Sequence, residues 1–175
     1  GLFVKEIEEA MLRGEIDIAV HSMKDVPTIF PEGLALRCIT EREDCRDIVI
    51  LRPGVKTWRD LPQGARIGTS ALRRKAQLLH IRPDLQMVDI RGNVQTRIKK
   101  LTEENLDAII LAAAGMHRLG YTKQIGEYLS VDVSIPAIGQ GALGIESRIA
   151  DTEINEIIDF FNHPATAWAV KAERA

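Results

Sequence analysis

The sequence is poor in the residues that hold small secreted folds together. It has two cysteines, Cys38 and Cys45, in 175 residues, which cannot make a disulfide framework and suit a reducing compartment better. Neither has a His or Cys partner at metal-ligand spacing, so no metal site is read. Aromatic residues make up 5%, too few for a platform that stacks nucleic-acid bases. No run approaches the ~18 uncharged apolar residues of a membrane span. The first residues offer no initiator Met, basic n-region or apolar h-region, so a secretory signal is not expected. Net charge is −2, so the molecule as a whole is not a polycation. Internal repeats and low-complexity tracts are absent as well.

What is present is ordinary for a globular chain: 45% apolar and 27% charged residues. Both ends read as cut within structure. A helical stripe begins at once, and Thr166 to Ala175 reads as a helix with no Gly stop. The expectation is an internal piece of a longer protein.

Short apolar runs alternate with helix-period segments. The spacing predicts a helix over 3–13 and strands at 16–20, 34–39, 48–51, 65–68, 85–90, 106–112 and 142–146. Further helices are expected from a Thr69-Ser70 cap to about His80, over 93–101, around 116–119, over 152–161 and over 166–174. A polar loop, His21 to Asp25, follows the second element and is closed by Pro27. Strand–helix alternation predicts α/β with a mainly parallel sheet. A single sheet would fit the element count. Two segments nonetheless read as chain crossings: charged Thr40 to Arg46, and Ser134 to Gly141 with its Pro and two Gly. Two crossings predict a two-lobed, discontinuous fold with a cleft between lobes.

Charge is distributed unevenly. Between Ala65 and Arg118 ten basic residues face five acids, so this stretch is net +5 in an otherwise acidic chain. A basic lobe points to an anionic partner. Arg73 and Arg74 follow Gly68-Thr69-Ser70 at a helix start, and Arg91 and Arg97 flank a Gly turn and helix start in the same way. A cation there opposes the helix dipole, a cost that a bound anion would offset. Arginine forks suit carboxylate or phosphate. An internal salt-bridge set is the competing reading. Asp25, just past a strand, could form an interlobe salt bridge, or accept N–H bonds from a ligand and stabilise cationic charge. His21 reads as a satisfied structural histidine.

Several collinear segments resemble the porphobilinogen deaminase (hydroxymethylbilane synthase) family. They are Gly1-Leu2-Phe3-Val4-Lys5-Glu6, Ala19 to Pro27 (AVHSMKDVP), Glu41-Arg42-Glu43-Asp44, and Gly68-Thr69-Ser70 with Leu72-Arg73-Arg74. Arg91-Gly92-Asn93 with Thr96-Arg97, Ala114 to Gly120 (AGMHRLG), Pro136 to Ala142 (PAIGQGA) and Ala172-Glu173-Arg174 continue the series across the chain. The resemblance implies a cytoplasmic, monomeric enzyme of tetrapyrrole and haem synthesis, with no nucleic-acid or membrane partner. Such an enzyme joins four porphobilinogen molecules, with loss of ammonia, into hydroxymethylbilane. It implies a two-lobed architecture like the type II periplasmic binding proteins, with domain 1 at 1–46 plus 141–161 and domain 2 at 47–140. Residues 162–175 would be a linker helix towards a third domain. The implied cofactor is a dipyrromethane, carried covalently on a cysteine beyond Ala175, so this chain alone is expected to be inert.

By the same resemblance, Asp25 is the catalytic aspartate that holds pyrrole N–H groups. Ser22, Lys24, Thr69, Arg73, Arg74 and Arg91 are expected to hold the cofactor. Arg97, Arg118, Phe3 and Lys5 are expected at the substrate, with Phe3 able to stack on a pyrrole. Ala71 departs from the pattern, standing where many members carry a serine. Neither Cys38 nor Cys45 matches the cofactor cysteine. A non-catalytic binding module for a carboxylated small molecule is the alternative, and a nucleic-acid binder a weaker third.

Overall fold

The computed structural model describes residues 2–175, with side chains from residue 4 onward. The chain forms two compact units: unit 1 is residues 1–43 with 138–175, and unit 2 is residues 44–137.

Unit 1 begins with helix α1 (Leu2–Leu12). Its buried side packs Met11 against Ala19 and Leu34. The helix ends in a Schellman motif: Glu15 N–H bonds Ala10 O and Gly14 N–H bonds Met11 O, with Gly14 at φ +73°. Strands β1 (Ile18–Ser22) and β2 (Leu34–Ile39) follow.

The chain then enters unit 2. It forms β3 (Asp47–Leu51), β4 (Arg66–Gly68), α2 (Leu72–Ile81), β5 (Gln86–Val88), α3 (Val94–Glu103), β6 (Ala108–Ala112), α4 (Ala113–Arg118) and β7 (Glu127–Tyr128). It returns to unit 1 for β8 (Leu143–Arg148), α5 (Thr152–Asp159) and α6 (Pro164–Arg174).

The sheet of unit 1 runs β1-β8-β2, both neighbours antiparallel to β8. Helix α6 packs Ala167 and Val170 onto Met23, Val26, Ile39 and Ala142, while α5 contributes Ile158 beside Cys38 and Ile145. His163 caps α6 by accepting the Thr166 N–H, with Pro164 at the first position, so this helix starts two residues before the sequence expectation.

The sheet of unit 2 runs β5-β4-β6-β3-β7. Its central strands β3 and β6 are apolar runs buried on both faces. Their side chains alternate: Val49, Ala108 and Ile110 meet Leu78 and Trp58 on one face. Ile48, Ile50, Ile109 and Leu111 meet Met116, Ile98 and Leu101 on the other.

The expectation of mainly parallel pairing is corrected. Only β5-β4 and β4-β6 are parallel; β3-β6, β3-β7, β1-β8 and β2-β8 are antiparallel. Parallel neighbours need a helical crossover within the unit. Strands β3 and β8 carry the chain between units, so no such crossover constrains their direction. The two-residue β7 escaped the sequence reading because it is too short to show a period. Among the described residues no helix is long and apolar enough to cross a membrane, and no group of three metal-ligating side chains could hold an ion.

Candidate functional site

In unit 1 the site is a turn. Strand β1 ends at Ser22 and the chain makes one 3₁₀ turn, Met23–Asp25. Met23 is fully buried and its N–H bonds Ala142 O at 3.0 Å. Two glycines make room for it. A Cβ on Gly139 would lie 2.7 Å from Met23 Cβ, and one on Gly144 would lie 2.4 Å from Met23 Sδ. Val26 is buried too. With Met23 and Val26 turned inward, Lys24 and Asp25 are left exposed between them. Asp25 makes no hydrogen bond or ion pair among the described residues, whereas Lys24 is engaged. Ser22 is half-buried at the strand end. Lys5 is exposed on α1 and pairs with Glu9 at 3.7 Å. The Phe3 side chain lies outside the described residues.

One residue before the turn, buried His21 places Nε2 2.8 Å from Glu146 Oε2, so the histidine is a paired structural one, as its sequence setting indicates. Burial pushes the Glu146 carboxyl up, opposed by His21 and reinforced by Glu8. Glu8 Oε1 and Glu146 Oε1 are both buried with no hydrogen-bond partner among the described residues.

In unit 2 the arginines gather around an acid that the sequence reading passed over. Asp47, the first residue of β3, is fully buried. Arg74 donates Nε (3.0 Å) and Nη2 (2.7 Å) to its Oδ1. Arg73 donates Nη1 to Oδ2 (2.8 Å) and Nη2 to Oδ1 (3.2 Å), and Ser134 donates its hydroxyl to Oδ2 at 2.7 Å. Burial alone would raise the Asp47 carboxyl; the bonds from Arg73, Arg74 and Ser134 outweigh it and hold the group at about 2. Arg74 gives its remaining Nη1 to Ile110 O (3.1 Å) and is only 5% exposed. Arg73 also reaches the Ile135 carbonyl.

The anion facing Arg73 and Arg74 in this structure is therefore internal. A charge count that starts at Ala65 leaves Asp47 out. The legible signal was an acid set at the head of an otherwise apolar strand, where only a buried cation could satisfy it.

Arg97 differs. It donates Nε to Gly92 O at 2.7 Å and has no carboxylate partner among the described residues. Burial pushes its guanidinium down, and the neighbouring charge of Arg74 adds to this. Arg74 is thus close to both Arg73 and Arg97. Arg91 is exposed near Asp89, whose carboxylate accepts from Lys75 at 2.7 Å. Arg118 is exposed in the last turn of α4 and is engaged.

Thr69 is fully buried, with Oγ1 accepting the Ala71 N–H. The expected Thr69-Ser70 helix cap is corrected. Ala71 holds the N-cap position with no side-chain bond, because Thr69 serves the turn and Ser70 donates its hydroxyl to Ile90 O at 2.6 Å. Gly68 lets this turn sit on the core: a Cβ there would meet Leu106, Ile109 and Ile90 side chains at 2.8–3.0 Å.

The comparisons with known proteins fit this geometry. The family model described as "Porphobilinogen deaminase, dipyromethane cofactor binding domain" matches residues 1–156. Porphobilinogen deaminase of Geobacter metallireducens is 76% identical over all 175 residues, which make up 54% of that relative. That of Geobacter sulfurreducens is 74% identical with the same coverage. The chain thus spans about half the length of these curated relatives. Among solved structures, a candidate methionine-binding lipoprotein from Bacillus subtilis shares the fold with TM-score 0.57 at 14% identity, over 93% of this chain and 76% of that one. The VFT2 domain of Bordetella pertussis BvgS, as a double mutant, gives 0.52 at 12% identity, over 97% and 72%. The fold is thus α/β of the two-lobed periplasmic-binding-protein type, and on the match over residues 1–156 the chain belongs to the porphobilinogen deaminase family.

Proposed function

We propose that the protein containing this chain is a transferase that deaminates porphobilinogen and joins four units into hydroxymethylbilane, and that it works in the cytoplasm. The observation that carries the reading is Asp25: an exposed carboxylate, unpaired among the described residues, on a turn whose neighbours Met23 and Val26 are anchored in the core. Loss of ammonia from porphobilinogen leaves a cation delocalised onto the pyrrole N–H. A carboxylate held in place before that charge develops stabilises it without reorganisation, and can then take part in removing the proton that restores aromaticity. The two free thiols suit a reducing compartment.

The family's dipyrromethane would supply the pyrrole to which new units are joined. The residues present fit such a group by charge. In unit 2 three guanidinium groups, Arg73, Arg74 and Arg97, stand against the one carboxylate of Asp47. The surplus positive charge suits a molecule bearing acetate and propionate groups. On the motifs of the family resemblance, Ser22, Lys24, Thr69, Arg73, Arg74 and Arg91 are assigned to that group, and Arg97, Arg118, Lys5 and Phe3 to the substrate. Arg74 would act through its charge from a buried position.

The test is a chimera in which these 175 residues replace the matching segment of the Geobacter metallireducens relative. Porphobilinogen consumption with ammonia release is expected. A folded chimera that binds porphobilinogen but releases no ammonia would overturn the reading in favour of a carboxylate-binding module.

A further inference from the structure

Helix α6 ends by gripping the turn that carries Asp25. The Arg174 guanidinium reaches three carbonyls of one short segment: Nη1 donates to Met23 O (3.5 Å) and Val26 O (3.2 Å), and Nη2 donates to Pro27 O (2.6 Å). The preceding residue, Glu173, accepts the Gly139 N–H at 2.7 Å and pairs with Arg42. Gly139 is the residue whose missing side chain admits Met23. Arg174 therefore bonds the turn itself, and Glu173 bonds the Gly139 backbone that packs against Met23. Ala167 and Val170 of the same helix pack beneath it on Met23 and Val26.

The chemistry of the clamp is specific. A 3₁₀ turn that does not continue leaves carbonyls without intrahelical partners. A guanidinium fork offers five N–H donors in a fixed plane and can serve several at once; an ammonium is a point donor on a flexible stem. Lys24 and Asp25 project from this same stretch of backbone. Arg174 also lines a pocket of about 200 Å³ with Met23, Lys24, Val26, Thr28 and Ile138.

We infer that Arg174 is a positioning residue for Asp25: it fixes the backbone of Met23 to Pro27 so that the carboxylate stands where the developing charge will be. Its role in turnover rests on the function proposed above; its grip on the turn does not. A misplacement of about 1 Å can cost roughly 10²-fold in rate, so the clamp should register in kcat rather than in substrate affinity.

The experiment has two arms. In the 175-residue chain, amide exchange is compared between wild type, Arg174→Met, which keeps the apolar stem, and Arg174→Lys, which keeps the charge. Faster exchange confined to Asp25 and Val26 in the Met variant, partly reversed in the Lys variant, is expected. Unchanged exchange there, or an equal rise along β1, would overturn the clamp. In the chimera, Arg174→Met should lower kcat for porphobilinogen by about 10²-fold with KM little changed. An unchanged kcat, or a fall in kcat that only follows a loss of folded protein, would overturn the positioning role. If the unsubstituted chimera consumes no porphobilinogen, the proposed function fails, and the exchange arm still decides the clamp.

Discussion

The two units handle buried charge in opposite ways. Unit 2 sinks one carboxylate, Asp47, and surrounds it with two guanidinium groups and a hydroxyl, so that both its oxygens are bonded and positive charge is left in surplus. Unit 1 sinks Glu146 against His21, with Glu8 near it and two carboxylate oxygens unanswered among the described residues. The carboxylate assigned to chemistry, Asp25, is kept out of the core altogether. Buried charge here serves architecture, and the group proposed to act on substrate is the one the fold leaves unspent. The contrast also separates the arginines: Arg74 is bound to Asp47 and Ile110 O, whereas Arg97 has no carboxylate partner among the described residues.

The severest way to break this contrast is to remove the acid of unit 2. Asp47→Asn leaves buried Arg74 and half-buried Arg73 without their counter-charge, and uncompensated buried charge of this kind costs about 3–5 kcal/mol. Urea unfolding followed by the fluorescence of Trp58, buried in the core of unit 2, should show that loss; a change below about 1 kcal/mol would mean that Asp47 is not the keystone.

Asp25→Asn should do the reverse. In the chimera, turnover should fall about 10²–10³-fold, while stability changes by no more than about 0.5 kcal/mol, as for an exposed substitution. Near-normal turnover would remove Asp25 from the chemistry.

Acid sharpens the comparison, because the two units respond with opposite sign. The Asp47 carboxyl lies at about 2 in the fold against 3.8 when free. Its contribution, about 2 kcal/mol, is complete above pH 4 and is lost as pH falls towards 2. The Glu146 carboxyl is raised above its free value of 4.5, by burial first and by Glu8. Its protonation favours the folded state, so its contribution is present at low pH and is lost as pH rises through the folded value. An NMR titration from pH 6 to 2 should therefore show the β6 amides of unit 2 loosening before the β8 amides of unit 1. Simultaneous loss in both would contradict the assignment.

The smallest effect is expected at Ala71. A serine at this N-cap can accept an N–H of the first turn of α2, which no side chain now does. Ala71→Ser should stabilise unit 2 by about 0.5–1 kcal/mol, read as a rise in urea midpoint with unchanged slope.

Much of this was legible in the sequence, for physical reasons that differ by element. Helix α1 was legible because its apolar stripe is a local property of the chain. Asp25 was legible because a polar loop directly after an apolar strand must turn outward. The direction of β3 and β8 was not, since local periodicity does not say whether neighbouring strands run parallel. The N-cap of α2 was misplaced because Thr69 and Ser70 hydroxyls have several backbone groups to choose from, and Ile90 O, some twenty residues away, took one of them.

The sequence by itself determined the α/β alternation, the basic stretch from Ala65 to Arg118 and the family resemblance, because periodicity, charge and collinear motifs are properties of neighbours along the chain. Only the tertiary structure decided what those charges meet. Asp47 lies 26 and 27 residues from Arg73 and Arg74, and Arg174 lies 148 residues from Val26. No local rule links such distant positions; burial does, because a polar group taken out of water must find its partner wherever the fold brings one.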